Sequence, residues 1–200
     1  MTSYIMTNPL HFSKPPKLLL CFLTALLGIS IASVWWQGLS KTVIEKPVHW
    51  ATRIEKKGLP NFFQVSDTLY RGAQPTQEGF LELKKMGIKT IVNLREFHSD
   101  EKFIEGMGFN YFQIPASTSK PVRAHYQKFL DIVKDPDLQP AFVHCHHGAD
   151  RTGTAVALYR ITVQGWATEE TISELQQGGY GYHSMFKEII TFVRNFNNQP

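Results

Sequence analysis

Between residues 61 and 198, short apolar runs alternate with stretches whose apolar positions recur every three or four residues. That is the pattern of strands interleaved with amphipathic helices. Phe62–Val65 and Thr68–Arg71 predict two short strands around a Ser66-Asp67 turn. Gln77–Met86 predicts a helix capped by Thr76 and stopped at Gly87. Ile88–Leu94 is apolar enough for a buried strand, and Phe109–Ile114 predicts another, ended by Pro115. Pro121 opens a helix that runs to Lys134 and aligns Val122, Tyr126, Phe129 and Val133 on one face. A strand over Ala141–His144 precedes a helix over Thr152–Gln164, which Gly165 stops. Thr168 is expected to cap the next helix, with Glu169 and Glu170 placed against its positive end. The last helix covers Ser184–Phe196, with Phe186, Ile189, Ile190 and Val193 inward. Such alternation predicts an α/β domain with a mostly parallel central sheet flanked by helices, and ligands beyond the carboxyl ends of its strands.

The N-terminal region follows a different rule. From Leu18 to Ser40 there is no charged residue. As a helix this run reaches about 34 Å, enough for a hydrocarbon core of roughly 30 Å. Lys14 and Lys17 precede it, and Trp35 and Trp36 stand where an aromatic belt would lie. Two readings fit: an uncleaved signal anchor, or a signal peptide with an apolar region from Leu18 to Ile29 cut after Ser30-Ile31-Ala32. Lys41 and Lys46 nearly balance the lysines on the other side, so charge alone does not orient the segment. A short N-terminus ahead of an apolar run is the usual export layout. The expectation is therefore a membrane-anchored or secreted protein whose folded part is periplasmic or otherwise extracytoplasmic. A polar linker, residues 41–60, joins the two regions.

Composition narrows the chemistry. With 42% hydrophobic and 19% charged residues the chain can bury a core, which excludes wholesale disorder. The net charge of +4 comes without a long Lys/Arg run, so no nucleic-acid footprint is read. Two cysteines, Cys21 and Cys145, exclude a disulfide scaffold and a zinc ribbon. Cys21 belongs to the apolar run, which leaves Cys145 as the single thiol of the folded domain.

The informative stretch is Val143 to Gly153, VHCHHGADRTG. A strand ends at His144, Cys145 begins a loop, and Arg151 opens a helix. The loop's backbone N–H groups can converge on one point, Gly148 permits a positive φ, and the helix directs its positive end inward. Arg151 adds a planar fork that matches two phosphate oxygens. The same field favours a thiolate at Cys145. Metal binding by His144, Cys145, His146 and His147 is excluded, because consecutive residues on a short loop cannot wrap one ion.

The spacing His144-Cys145-xx-Gly148-xx-Arg151-Thr152-Gly153 resembles the signature of cysteine-dependent protein tyrosine and dual-specificity phosphatases. Tyr70 to Pro75 (YRGAQP), Ile91 to Arg95 (IVNLR), Tyr159-Arg160, Gly165-Trp166 and Gly178-Gly179-Tyr180 extend the resemblance to their bacterial dual-specificity-like group, several of whose members are exported or membrane-anchored. It covers roughly Asn61 to Phe196. The resemblance implies a dual-specificity-phosphatase-like fold and hydrolysis of phosphotyrosine, with phosphoserine and phosphothreonine as further candidates, through a phosphoryl-cysteine intermediate. It implies no metal or organic cofactor, and a phosphorylated protein or small phosphomonoester as the partner. Cys145 is the expected nucleophile and Arg151 the phosphate clamp, while Thr152 eases departure of the sulfur. His144 supports the cysteine, Gly148, Ala149 and Gly153 complete the phosphate-binding loop, and His146 and His147 sit on its rim, either as loop filler or as binders of the phosphate or a neighbouring anion. The expected organisation is an anchor or signal peptide at 1–40, a linker at 41–60 and the phosphatase domain at 61–198.

One part departs from the pattern. The family usually draws a general-acid Asp from the loop after the strand equivalent to Phe109–Ile114. Here that loop is Pro115-Ala116-Ser117-Thr118-Ser119-Lys120-Pro121, with no carboxylate. Serine does not protonate an alkoxide effectively. Asp150, beside Arg151, is the substitute, either as the acid or as a partner that shapes the loop. Asp100 and Glu101 are remoter candidates. Arg71 and Arg95 each close a strand and are read as structural ion pairs before site residues. The rival functions are an inositol-phosphate or phosphoinositide phosphatase, and a phospho-ligand-binding protein with weak turnover.

Overall fold

A computed structural model describes residues 47–198, so the expected anchor or signal segment at 1–40 lies outside the described residues. No helix among the described residues is long and apolar enough to cross a membrane. Six strands form one sheet: β1 (Thr52–Arg53), β2 (Phe63–Ser66), β3 (Leu69–Gly72), β4 (Thr90–Asn93), β5 (Asn110–Gln113) and β6 (Ala141–His144). Their spatial order is β1-β2-β3-β6-β4-β5. The first two strands are antiparallel, and β3, β6, β4 and β5 run parallel, as the alternation predicted. Gly72 and Asn93 both pair with His144, and Asn93 pairs with Gln113, so the four parallel strands end in step at one edge of the sheet.

Among the described residues six α-helices cover the two faces: α1 (Gln77–Lys85), α2 (Glu101–Ile104), α3 (Arg123–Lys134), α4 (Asp150–Thr162), α5 (Thr168–Gln177) and α6 (Lys187–Asn195). Strand alternation sorts the core. Ile91 and Phe142 pack with Phe80 and Leu83 of α1 and Ile104 of α2. Their neighbours Val92 and Val143 pack on the opposite face with α3 to α6, through Phe129, Val156, Leu175 and Ile189 among others. Ala155, Val156, Ala157 and Leu158 are all buried, so α4 is enclosed around its circumference and holds a fixed position under the sheet edge. Thr76 caps α1 as predicted, its hydroxyl accepting from the Gly79 N–H.

Several expectations need correction. Pro121 and Val122 precede α3, which starts at Arg123, and Val122 is exposed and not on the buried face. The domain begins before residue 61: Thr52 and Arg53 pair with Gln64 and Phe63, and Trp50, Ala51 and Leu59 are buried. A two-residue strand with exposed side chains leaves no alternation to read. Helix α4 starts at Asp150 and not at Thr152, because the loop tightens into the helix straight after Ala149. Thr168 is the first residue of α5 and does not cap it; Ala167 stands at the cap.

Candidate active site

The loop from Cys145 to Ala149 leaves β6 at the shared strand edge and runs into α4. Three consecutive carbonyls of this loop are held outward by three different segments. The Gln74 N–H donates to His146 O at 3.1 Å, Asn61 Nδ2 to His147 O at 2.9 Å, and the Arg71 guanidinium to Gly148 O at 2.7 Å. Each peptide is trans, so a carbonyl turned outward turns the following N–H inward. The N–H groups of His147, Gly148 and Ala149 thereby face the mouth of the loop, and α4 adds its uncapped first turn.

Gly148 has φ +70°, and a Cβ there would stand 2.4 Å from the Gly72 carbonyl carbon and 2.6 Å from the Ala73 nitrogen. Only glycine fits between the loop and the backbone that follows β3. Gly153 is also committed to close packing, its α-carbon facing Leu175 of α5.

Cys145 is a free, buried thiol at the base of the cradle. His144 beneath it is fully buried; its Nε2–H donates to Asp100 Oδ2 at 2.7 Å and its Nδ1 lies 3.3 Å from the Cys145 carbonyl. Asp100 also accepts from Gln74 Nε2 at 2.7 Å. Both oxygens of this fully buried carboxylate are occupied, so Asp100 positions His144 and is not a candidate acid. Glu101 is exposed and accepts from Ser99, which removes it as well. Arg151 is half-buried, with one guanidinium nitrogen 3.5 Å from Leu94 O at the end of β4. The Thr152 hydroxyl is buried, finds no partner among the described residues, and forms no hydrogen bond to the Cys145 sulfur.

Two cavities meet at His146 and His147. One, of about 310 Å³, is bordered by Arg95, Arg151 and Phe97, whose side chain is 98% exposed. The other, of about 530 Å³, is bordered by Asn61, Ala149, Tyr180 and His183. Partial burial, with the charges of His147, Arg95 and Arg151, holds the His146 imidazole below its ordinary value.

Arg71 and Arg95 do not form the expected ion pairs. Arg71 is buried, stacks 3.8 Å from the centre of the Tyr180 ring and grips the loop carbonyl, while Arg95 donates to the Gln74 side chain at 3.0 Å. Burial lowers the Arg71 guanidinium from its usual value, and Tyr180, Glu174 and Cys145 act against that shift. Asp150, expected as an acid or a shaping partner, accepts twice from His183: from its N–H at 2.9 Å and from its Nδ1 at 2.8 Å. Asn61 and His183 escaped the sequence reading. Asn61 takes a left-handed φ of 53°, for which the Pro60-Asn61 turn signal was available. No local signal marked His183.

A family model described as a DSP-PTPase phosphatase fused to NAD+ kinase matches residues 54–191. The dual specificity protein phosphatase TpbA of Pseudomonas aeruginosa is 27% identical over 156 residues, covering 78% of this chain and 70% of the relative. The inositol diphosphatase DSP3 of Arabidopsis thaliana is 32% identical over 125 residues, covering 58% of this chain and 61% of the relative. The crystal structure of P. aeruginosa TpbA superposes with a TM-score of 0.69 at 26% identity, covering 77% of this chain and 96% of that one. A cysteine-to-serine variant of TpbA in complex with pTyr gives a TM-score of 0.68 at 25% identity, covering 77% and 95%. The matched residues run from just past β1, through the Cys145 loop, into α6, and on that match the chain belongs to the DSP-PTPase phosphatases.

Proposed function

We propose that this domain hydrolyses phosphomonoesters, phosphotyrosine foremost, by way of a phosphoryl-cysteine on Cys145. The observation that carries this reading is the trio of outward-held carbonyls, which leaves inward N–H groups around a single buried thiol. The Cys145 thiolate attacks phosphorus while the ester oxygen departs with the bonding electrons and takes up a proton. Water then attacks the phosphoryl-cysteine, releasing phosphate and the thiolate. Arg151 forks onto two equatorial oxygens and stabilises the charge that spreads there. The orphaned Thr152 hydroxyl is available to bond the sulfur once it carries full charge in the second step. Exposed Phe97, beside Arg151, offers an apolar wall to an aryl group, which supports phosphotyrosine over alkyl phosphates.

Acid quenching during turnover of a phosphotyrosine peptide should trap a phosphoryl adduct on the peptide that contains Cys145. An adduct on another residue, or none, overturns the mechanism. The names of the inositol diphosphatase relatives support a second substrate class. Faster trapping from an inositol diphosphate than from the peptide would make that class the primary one.

Replacing Gly148 with alanine should lower kcat/KM for an aryl phosphate by about 100-fold, the scale of a misplacement near 1 Å. The added methyl meets backbone that cannot swing aside. Steady-state kinetics would check this, with circular dichroism to confirm the fold; parental activity would show that the loop tolerates the shift.

The uncharged run from Leu18 to Ser40 supports membrane anchorage or export, with the catalytic domain outside the cytoplasm. The full chain should stay with the membrane pellet after alkaline extraction, or appear outside the cell trimmed near Ala32. Recovery of the untrimmed chain in the cytosolic fraction would refute both forms.

A further inference from the structure

We propose that His183 is the general acid of this site, its ring held by Asp150, so that the loop carboxylate positions the proton donor and does not deliver the proton itself. The proposal rests on the cysteine mechanism and concerns the proton that mechanism requires. The loop after β5 cannot supply it: Ser117 and Ser119 lie within 3.4 Å of each other, and the segment carries no carboxyl group. Asp150 is the one carboxylate on the phosphate loop, yet its two oxygens are taken, Oδ1 by the His183 N–H and Oδ2 by the ring Nδ1–H. Its side chain is 9% exposed, whereas that of His183 is 49% exposed.

The bond to Nδ1 fixes the ring and leaves Nε2 at the opposite corner, where it meets no partner among the described residues. His183 borders the 530 Å³ cavity together with His146, His147 and Ala149 of the phosphate loop. The two cavities meet at His146 and His147, so an ester oxygen at that junction, with its aryl group toward Phe97, faces the cavity that this imidazole borders.

The backbone that carries the histidine is fixed to the loop. Gly179 and Gly181, both at φ +81°, bend the chain back over it, and Asn61 ties Tyr180 O and His147 O together with two 2.9 Å bonds. Phe186 meets the ring edge-on with centroids 6.2 Å apart, and the His147 ring lies 6.1 Å away.

In the first step the S–P bond forms, the P–O bond breaks, and the ester oxygen takes the Nε2 proton of the imidazolium, leaving neutral imidazole. In the second, that imidazole accepts a proton from the attacking water, the S–P bond breaks, and phosphate departs with the water oxygen. The cycle restores both the thiolate and the imidazolium.

The test is the dependence of kcat/KM on the leaving group, measured with 4-nitrophenyl, phenyl and alkyl phosphates. His183→Asn keeps an amide donor for Asp150 and removes the acid. It should lower kcat/KM for the phenyl and alkyl esters by about 100-fold and leave the nitrophenyl ester within about threefold, since that phenolate needs no proton to depart. His183→Gln should show the same split. Asp150→Asn should give a smaller loss of the same kind, and the double variant should be no worse than His183→Asn alone. Equal losses on every ester, or no loss, would overturn the assignment. So would a full leaving-group-dependent loss in Asp150→Asn with His183→Asn intact, which makes Asp150 the donor. In each of these outcomes a phosphoryl adduct on Cys145 would still stand, so failure of this assignment is distinct from failure of the cysteine mechanism.

Discussion

Cys145→Ser should abolish turnover, lowering kcat by roughly five to six orders of magnitude, the scale seen when a nucleophile is removed from a preorganised site. A serine hydroxyl stays protonated at neutral pH and is both a weaker nucleophile and a poorer leaving group than a thiolate. The cradle does not depend on the sulfur. Its carbonyls are held by Gln74, Asn61 and Arg71, none of which contacts the thiol through a hydrogen bond. The variant should therefore still bind a phosphotyrosine peptide, within about threefold of the affinity set by loop and arginine contacts. Stopped turnover with retained binding, read by calorimetry, is the expected pair of results. Residual turnover above about one-thousandth of the parent would mean that another group attacks phosphorus.

Glu174→Ala should cost about 3–5 kcal/mol of stability, because it strands a buried guanidinium. Arg160 donates to both oxygens of Glu174 at 2.8 Å, and the same carboxylate accepts from the Ala51 N–H at 2.8 Å and the Tyr180 hydroxyl at 2.9 Å. Arg160 and Glu174 are 1% and 2% exposed, so water cannot replace the lost partner. The melting temperature should fall by roughly 6–20 °C. A variant melting within about 2 °C of the parent would refute the argument.

The pair also sets a pH dependence. Burial opposes the charge on Glu174, yet the hydrogen bond and charge of Arg160, with the Ala51 and Tyr180 bonds, hold its carboxyl below the ordinary value. A carboxyl depressed in the folded state stabilises the fold above its unfolded pKa, about 4.3, and loses that contribution as pH falls through the folded value. The parent should therefore lose stability in acid more steeply than the variant. The effect should reach the active site as well, since Tyr180 bonds Glu174 and stacks on Arg71, which holds the Gly148 carbonyl.

Legibility in the sequence followed the range of the interactions. Strand β6 was readable to the residue because its four buried positions are contiguous and the cysteine loop breaks them off. The parallel sheet was readable because β3, β5 and β6 are each followed by a helical period long enough to cross back. The one-turn helix α2 was missed, since four residues present no periodicity. Within the site, Cys145, Gly148, Asp150 and Arg151 announced themselves because one short segment carries them all. Arg71 reaches the loop across 77 positions and His183 reaches Asp150 across 33, and no local pattern encodes either contact. The reading of Arg71 as an ion pair failed for a related reason: its partner is a backbone carbonyl and an aromatic face, which leave no opposite charge to find.

The outward carbonyls have an energetic counterpart on the other side of the loop. The N–H groups they turn inward have no partner among the described residues, so folding itself leaves an unmet demand for negative charge at the mouth of the site. Whatever anion answers that demand binds the native state and not the unfolded chain, and so becomes a folding ligand. Substrate, released phosphate and any oxyanion in the medium then tighten the fold through the very donors that hold the transition state. For this domain, product inhibition and thermal stabilisation are two readouts of one set of backbone atoms.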